Sequence, residues 1–108
     1  MNKYDIAILE SYWTSFSEFK NKLEKMVPNE NPVYFSNLES IVIGLSKVYE
    51  EVEVEVEIKQ IIEMRYWNKT DFLEWIEIAD ELFISRSKVI RKRNLLLKKT
   101  IDAIGYVA

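Results

Sequence analysis

Val52-Glu53-Val54-Glu55-Val56-Glu57-Ile58 alternates strictly between apolar and acidic residues, and read alone it is a half-buried β-strand. The residues that follow argue against this. Ile58, Ile61, Ile62, Arg65 and Tyr66 continue at helical spacing with no turn signal between them, and nothing else in the chain offers a lone strand a partner. The glutamates suit the start of a helix, where carboxylates are stabilised by the positive end of the helix dipole. A turn near Tyr49 to Val52 and a helix from about Glu53 to Trp67 are therefore expected, which makes the chain all-α. The alternative use of those glutamates is an acidic face for a protein partner.

Upstream, Leu9, Tyr12, Trp13, Phe16, Phe19, Leu23 and Met26 recur every three or four residues, predicting one helix from Asp5 to about Val27, stopped by Pro28. We read this aromatic stripe as core in preference to a partner-binding face. Pro28-Asn29-Glu30-Asn31-Pro32 is turn chemistry. Ser36-Asn37-Leu38-Glu39 has the form of a capping box and predicts a helix start at Ser36. Leu38, Ile41, Val42, Leu45, Val48 and Tyr49 share a face of that helix, with Gly44 off the face at a close helix crossing. An intramolecular hairpin with the first helix is preferred to a dimer seam. Downstream, Asn68-Lys69-Thr70-Asp71 is a loop, with Asp71 and Glu74 placed as a cap pair. The next helix runs to about Leu82 and buries Trp75, Ile78, Ala79 and Leu82.

The overall charge of -3 is unevenly spread. Residues 1–60 carry 6 Lys/Arg against 11 Asp/Glu, whereas residues 61–108 carry 9 against 7. Ser85 to Lys99 alone holds seven cations (Arg86, Lys88, Arg91, Lys92, Arg93, Lys98, Lys99) and no carboxylate. Only this C-terminal segment should be drawn to a phosphate backbone. With no Cys and no His, thiolate or imidazole metal sites, Cys or His nucleophile chemistry and the usual general base are excluded, so neither cofactor nor metal nor enzymatic activity is expected. There is no signal-peptide pattern and no run of about 18 apolar residues, which leads us to expect a cytoplasmic protein that does not enter a membrane.

Ser85 is a good N-cap for a helix carrying the cations, and the short helix before it makes the pair a helix-turn-helix whose second helix would enter the major groove of double-stranded DNA. Val89 is expected to pack on Ile78, Ala79 and Leu82, with Ile84 plugging the turn. Helical geometry then turns Ser85, Arg86, Ser87, Ile90, Arg91 and Asn94 outward. Arg86 and Arg91 have the donor fork for guanine or phosphate, Asn94 suits adenine, Ile90 a thymine methyl, and Ser85 and Ser87 phosphate. Lys88, Lys92, Lys98 and Lys99 are expected as non-specific phosphate contacts, and Arg93 points partly to the core. Leu97, Ile101 and Ile104 form a stripe that packs on the N-terminal helices or on a second subunit, as in a homodimer.

In Ile61-Ile62-Glu63-Met64-Arg65-Tyr66-Trp67, Ile78-Ala79-Asp80-Glu81-Leu82-Phe83-Ile84-Ser85 and Val89-Ile90-Arg91-Lys92-Arg93, the chain resembles phage late-transcription regulators of the RinA and ArpU kind, whose C-terminal part is similar to sigma factor region 4. The resemblance spans about Leu38 to Ile104. It implies an all-helical activator that binds a promoter and assists RNA polymerase. Two positions depart from the pattern: Phe83 stands where Gly is common, and Lys92 replaces a usual apolar residue. The expectation is a single domain over residues 1–108, a compact bundle of about five helices: a hairpin over 1–50, then, over 53–108, a helix-turn-helix part with a long recognition helix. A small terminase-like packaging protein, or an adaptor or inhibitor without DNA binding, remains an alternative.

Overall fold

Asn2 opens the first helix: its side chain accepts from the N–H groups of Tyr4 and Asp5, both at 2.9 Å, while its own N–H donates to the Asp5 carboxylate at 3.2 Å. In the computed structural model, which describes residues 1–68 and 73–107, this helix is α1 (Lys3–Thr14). It is followed by α2 (Phe16–Lys25), α3 (Pro32–Glu51), α4 (Val56–Ile61), α5 (Trp75–Leu82) and α6 (Arg86–Ile104). The described residues contain no strand, so the all-α class holds, with six helices rather than about five.

The additional helix comes from a break at Ser15 in the stretch expected to run unbroken to Val27. There the backbone lies at φ -94°, ψ 6°. On the preceding turn the Ser11 hydroxyl donates to the Ile8 carbonyl at 2.6 Å and the Thr14 hydroxyl to that of Glu10 at 3.1 Å. Side chains that bond back to their own helix in this way bend it. The start of α3 also differs from the sequence expectation. Asn31, whose side chain accepts from the Tyr34 N–H at 3.2 Å, is the cap, and Pro32 occupies the first turn. Proline's fixed φ suits that position and its missing donor is not needed there, so the helix begins before Ser36, which lies exposed within it.

The alternating segment is not a strand. α3 continues to Glu51, past the expected turn, and Val52–Val54 form a 3₁₀ turn before α4. Val52 and Ile58 are fully buried while Val54 is 87% exposed and Val56 60%, so the alternation does not divide inside from outside. α4 runs directly into a π-helical stretch, Ile62–Trp67. Its wider i→i+5 turn lets adjacent side chains, Ile61 with Ile62 and Tyr66 with Trp67, all reach the interior. The expected loop at Lys69 to Asp71, and the Asp71 cap with it, lie outside the described residues. At the described end, the Glu74 N–H donates to the Glu77 carboxylate at 3.0 Å.

The core gathers around α6, which packs on α1, α3, α4 and α5. Leu9 and Trp13 from α1, Leu45 and Val48 from α3, Ile58 and Ile61 from α4, Ile78 from α5, and Val89, Leu96 and Leu97 from α6 are all fully buried. Inside this core the Trp13 indole N–H donates to the Thr100 hydroxyl at 3.0 Å, and that hydroxyl donates to the Leu96 carbonyl at 2.8 Å. An aromatic cap covers one end: Trp67 stacks on Phe16 at 5.8 Å, lies 4.8 Å from Tyr49, and donates to the Trp13 carbonyl at 3.1 Å.

Gly44, expected off the buried face, is itself buried at the crossing of α3 and α6. A β-carbon there would collide with Ile104 Cγ2 and lie 3.2 Å from the Ala103 carbonyl oxygen. Gly44→Ala is therefore expected to lower unfolding stability by about 1 to 3 kcal/mol, read as a reduced urea midpoint with an unchanged slope, because the helices must separate to admit the methyl group.

Candidate nucleic-acid interface

α5 ends by a left-handed turn at Phe83 (φ 56°, ψ 40°), closed by Phe83 N–H to the Asp80 carbonyl at 3.3 Å and Ile84 N–H to that of Ala79 at 3.1 Å. Those paired bonds satisfy the last carbonyls of the helix and reverse the chain within a few residues. Ser85 then caps α6, its hydroxyl accepting from the Lys88 N–H at 3.1 Å. Val89 is fully buried in the same cluster as Ile78 and Ala79, with Leu82 and Ile84 packed against it. A short helix, a tight turn and a longer helix locked by these contacts form a helix-turn-helix. Glycine tolerates positive φ without cost, but Phe83 has a β-carbon and its side chain is 95% exposed, so no packing offsets the strain.

The cationic residues of α6 fall on distinct stripes. Ser87, Arg91, Asn94 and Lys98, spaced by four, three and four residues, are all exposed and define the outermost line of the helix. Ser85 and Arg86 are exposed at its start. Lys88, Lys92 and Lys99 follow a second line on one flank and are half-buried, while Ile90 is half-buried on the opposite flank. Lys99 borders a hollow shared with Lys47, Glu51 and Asp102, facing α3 rather than outward beside Arg91. The eight residues expected at the site thus divide into five exposed and three half-buried. Arg86, Arg91 and Lys98 have no ion-pair partner among the described residues.

Arg93 is held differently. Its guanidinium group lies 3.8 Å from the Glu10 carboxylate and 5.4 Å from the centre of the Trp75 ring, and its Nε donates to the Asn94 side-chain oxygen at 2.9 Å. Arg65 lies over the same indole at 4.7 Å, donates to the Leu73 carbonyl at 2.8 Å and approaches Glu74 at 3.7 Å. Glu10 also accepts from the Tyr66 hydroxyl at 2.7 Å. This cluster ties α1, the π-helical segment and α5 to the middle of α6, and fixes the Asn94 amide with its NH₂ free of that bond. Sequence reading missed it, because a lone Glu on the first helix carries no local sign of its partner on the last.

Burial, then the Glu10 charge and the hydrogen bond to it, push the Tyr66 phenol well above its ordinary value of 10.0, against smaller opposing effects of Arg93 and Arg65. The described residues contain no cluster of His, Cys, Asp or Glu able to hold a metal ion, and no helix there is long and apolar enough to cross a membrane. A scan against protein-family models found no match to the chain, and searches of curated proteins and of solved structures found none either.

Two outcomes follow from this geometry. Phe83→Gly should stabilise the fold by about 1 kcal/mol in a urea titration, since it relieves the left-handed strain while giving up an unburied ring. For Tyr66, a folded-state value raised above the unfolded one means that its contribution to stability is fully present below pH 10 and declines as the pH rises past that point. Urea midpoints measured on either side of pH 10 should fall on the alkaline side, and fall less in Tyr66→Phe.

Proposed function

We propose that the chain is a sequence-specific DNA-binding transcriptional regulator that inserts α6 into the major groove, N-terminal end first. One observation carries the reading: on the outer line of α6, Arg91 and Asn94 stand exposed, with Arg86 exposed at the helix start, and neither guanidinium group has an ion-pair partner among the described residues. Glu10, the carboxylate packed against the middle of α6, engages Arg93 and Tyr66. Arg86 and Arg91 therefore meet a base edge or a phosphate without first breaking an internal ion pair. Ser85 accepts a backbone bond through its oxygen and retains its O–H for a phosphate.

Charge also sets the direction of approach. Glu77, Asp80 and Glu81 are exposed on α5 and repel a phosphate backbone, so the duplex must come from the α6 side. Among the lysines, Lys88 and Lys92 are placed to contact phosphate from the flank of the exposed line. The narrower reading, a phage or prophage late-gene activator assisting RNA polymerase, rests on the resemblance alone.

Fluorescence anisotropy with duplexes selected from a random pool tests the proposal. Arg91→Ala is expected to weaken binding to the selected duplex by about 1 to 3 kcal/mol and to relax preference at one base pair, whereas Lys92→Ala should weaken all duplexes alike and reduce the salt slope by about one unit. Unchanged binding after Arg86 and Arg91 are both replaced by Ala overturns the assignment.

A further inference from the structure

From Asn94, the last residue of α6 assigned to DNA, onward, the exposed side of the helix changes character. Leu95, Lys98, Ile101 and Asp102, with Asn94 and Met1, line an open groove of about 550 Å³ whose walls are mainly apolar. Leu95 is 40% exposed and Met1 51%. Two opposite charges, Lys98 and Asp102, lie one turn apart on this face, and neither makes an ion pair with another side chain among the described residues. We infer that this groove is a twofold self-association surface, occupied by the same surface of a second copy of the chain.

The argument for that occupant is the arrangement of charge. A twofold interface brings one patch against itself, so it is favourable only when the patch is self-complementary. When two α6 helices cross antiparallel about an axis level with Thr100, each Lys98 faces the partner's Asp102, giving two symmetric ion pairs from one pair of residues. Leu95 and Ile101 flank these charges and lose their solvent exposure in the same arrangement. A parallel crossing sets like charge against like. A partner with a uniformly basic or acidic surface would satisfy one of the two charges and oppose the other.

The pairing itself needs no nucleic acid. Its functional consequence rests on the DNA-binding reading: the Arg86 to Asn94 segments of two copies project on opposite sides of the axis, so the bound sequence is an inverted repeat.

Sedimentation equilibrium of the full chain without DNA tests the inference. The wild-type chain is expected to dimerise reversibly. Leu95→Glu, Lys98→Asp and Asp102→Lys should each weaken the dimer by roughly tenfold or more while leaving the helical circular-dichroism spectrum and cooperative unfolding intact. The double variant Lys98→Asp/Asp102→Lys should recover the dimer. An equimolar mixture of the two single variants should form a heterodimer, because one chain then carries two acids and the other two lysines at the facing positions. A wild-type monomer at every concentration overturns the inference, as does a dimer that all three substitutions leave unchanged. Anisotropy on the same samples separates the two proposals: a dimer that binds no duplex retains this inference and loses the DNA-binding one, and a monomer that binds does the reverse.

Discussion

α6 must bury one side of a strongly cationic helix, and most of the architecture follows from how that is done. Val89, Leu96, Leu97 and Thr100 are fully enclosed, with four other helices packed around them. Each fully buried aliphatic side chain contributes about 1.5 to 3 kcal/mol, so this face alone supplies a large part of the apolar burial that opposes chain entropy. The cations on the other side stay in solvent because desolvating an unpaired ammonium or guanidinium group would cost more than such a contact returns. The axial rotation of α6 is thereby set by hydrophobic burial.

Two polar contacts sharpen that rotation. The Trp13 indole bonded to Thr100 fixes the C-terminal half of the helix against α1. Glu10 with Arg93 fixes its middle. The buried Trp13–Thr100 pair matters most, since an unsatisfied indole N–H in a water-free core would cost about 1 to 3 kcal/mol. The Glu10–Arg93 pair is more open, with side-chain exposures of 23% and 13%, so its main effect is directional: it holds the Arg93 guanidinium group against the bundle while Arg86 and Arg91 stay exposed.

The acidic remainder of the chain complements this arrangement. Glu50, Glu51 and Glu53 are exposed around the end of α3, and the α5 carboxylates border the turn. A cationic line on an anionic body confines any polyanion to one approach, which favours orientation more than raw affinity. Among the described residues, Phe83 is the one non-glycine residue with a left-handed backbone, and its exposed side chain makes no packing contact that offsets the strain.

The sequence by itself determined the helical class, the Ser85 cap, the inward Val89 and the concentration of cations, because these depend on spacing and on bonds spanning three or four residues. The helical reading outweighed the strand-like alternation, correctly from Val56 onward, and the described residues contain no strand. Only tertiary structure decided the π-helical widening that turns Tyr66 and Trp67 inward together, the capture of Arg93 by Glu10 and the position of Lys99 beside α3. These outcomes depend on side chains far apart in sequence, 87 residues in the case of Trp13 and Thr100. Periodicity states that a face is buried; the shape and charge of the neighbouring helix decide what it is buried against.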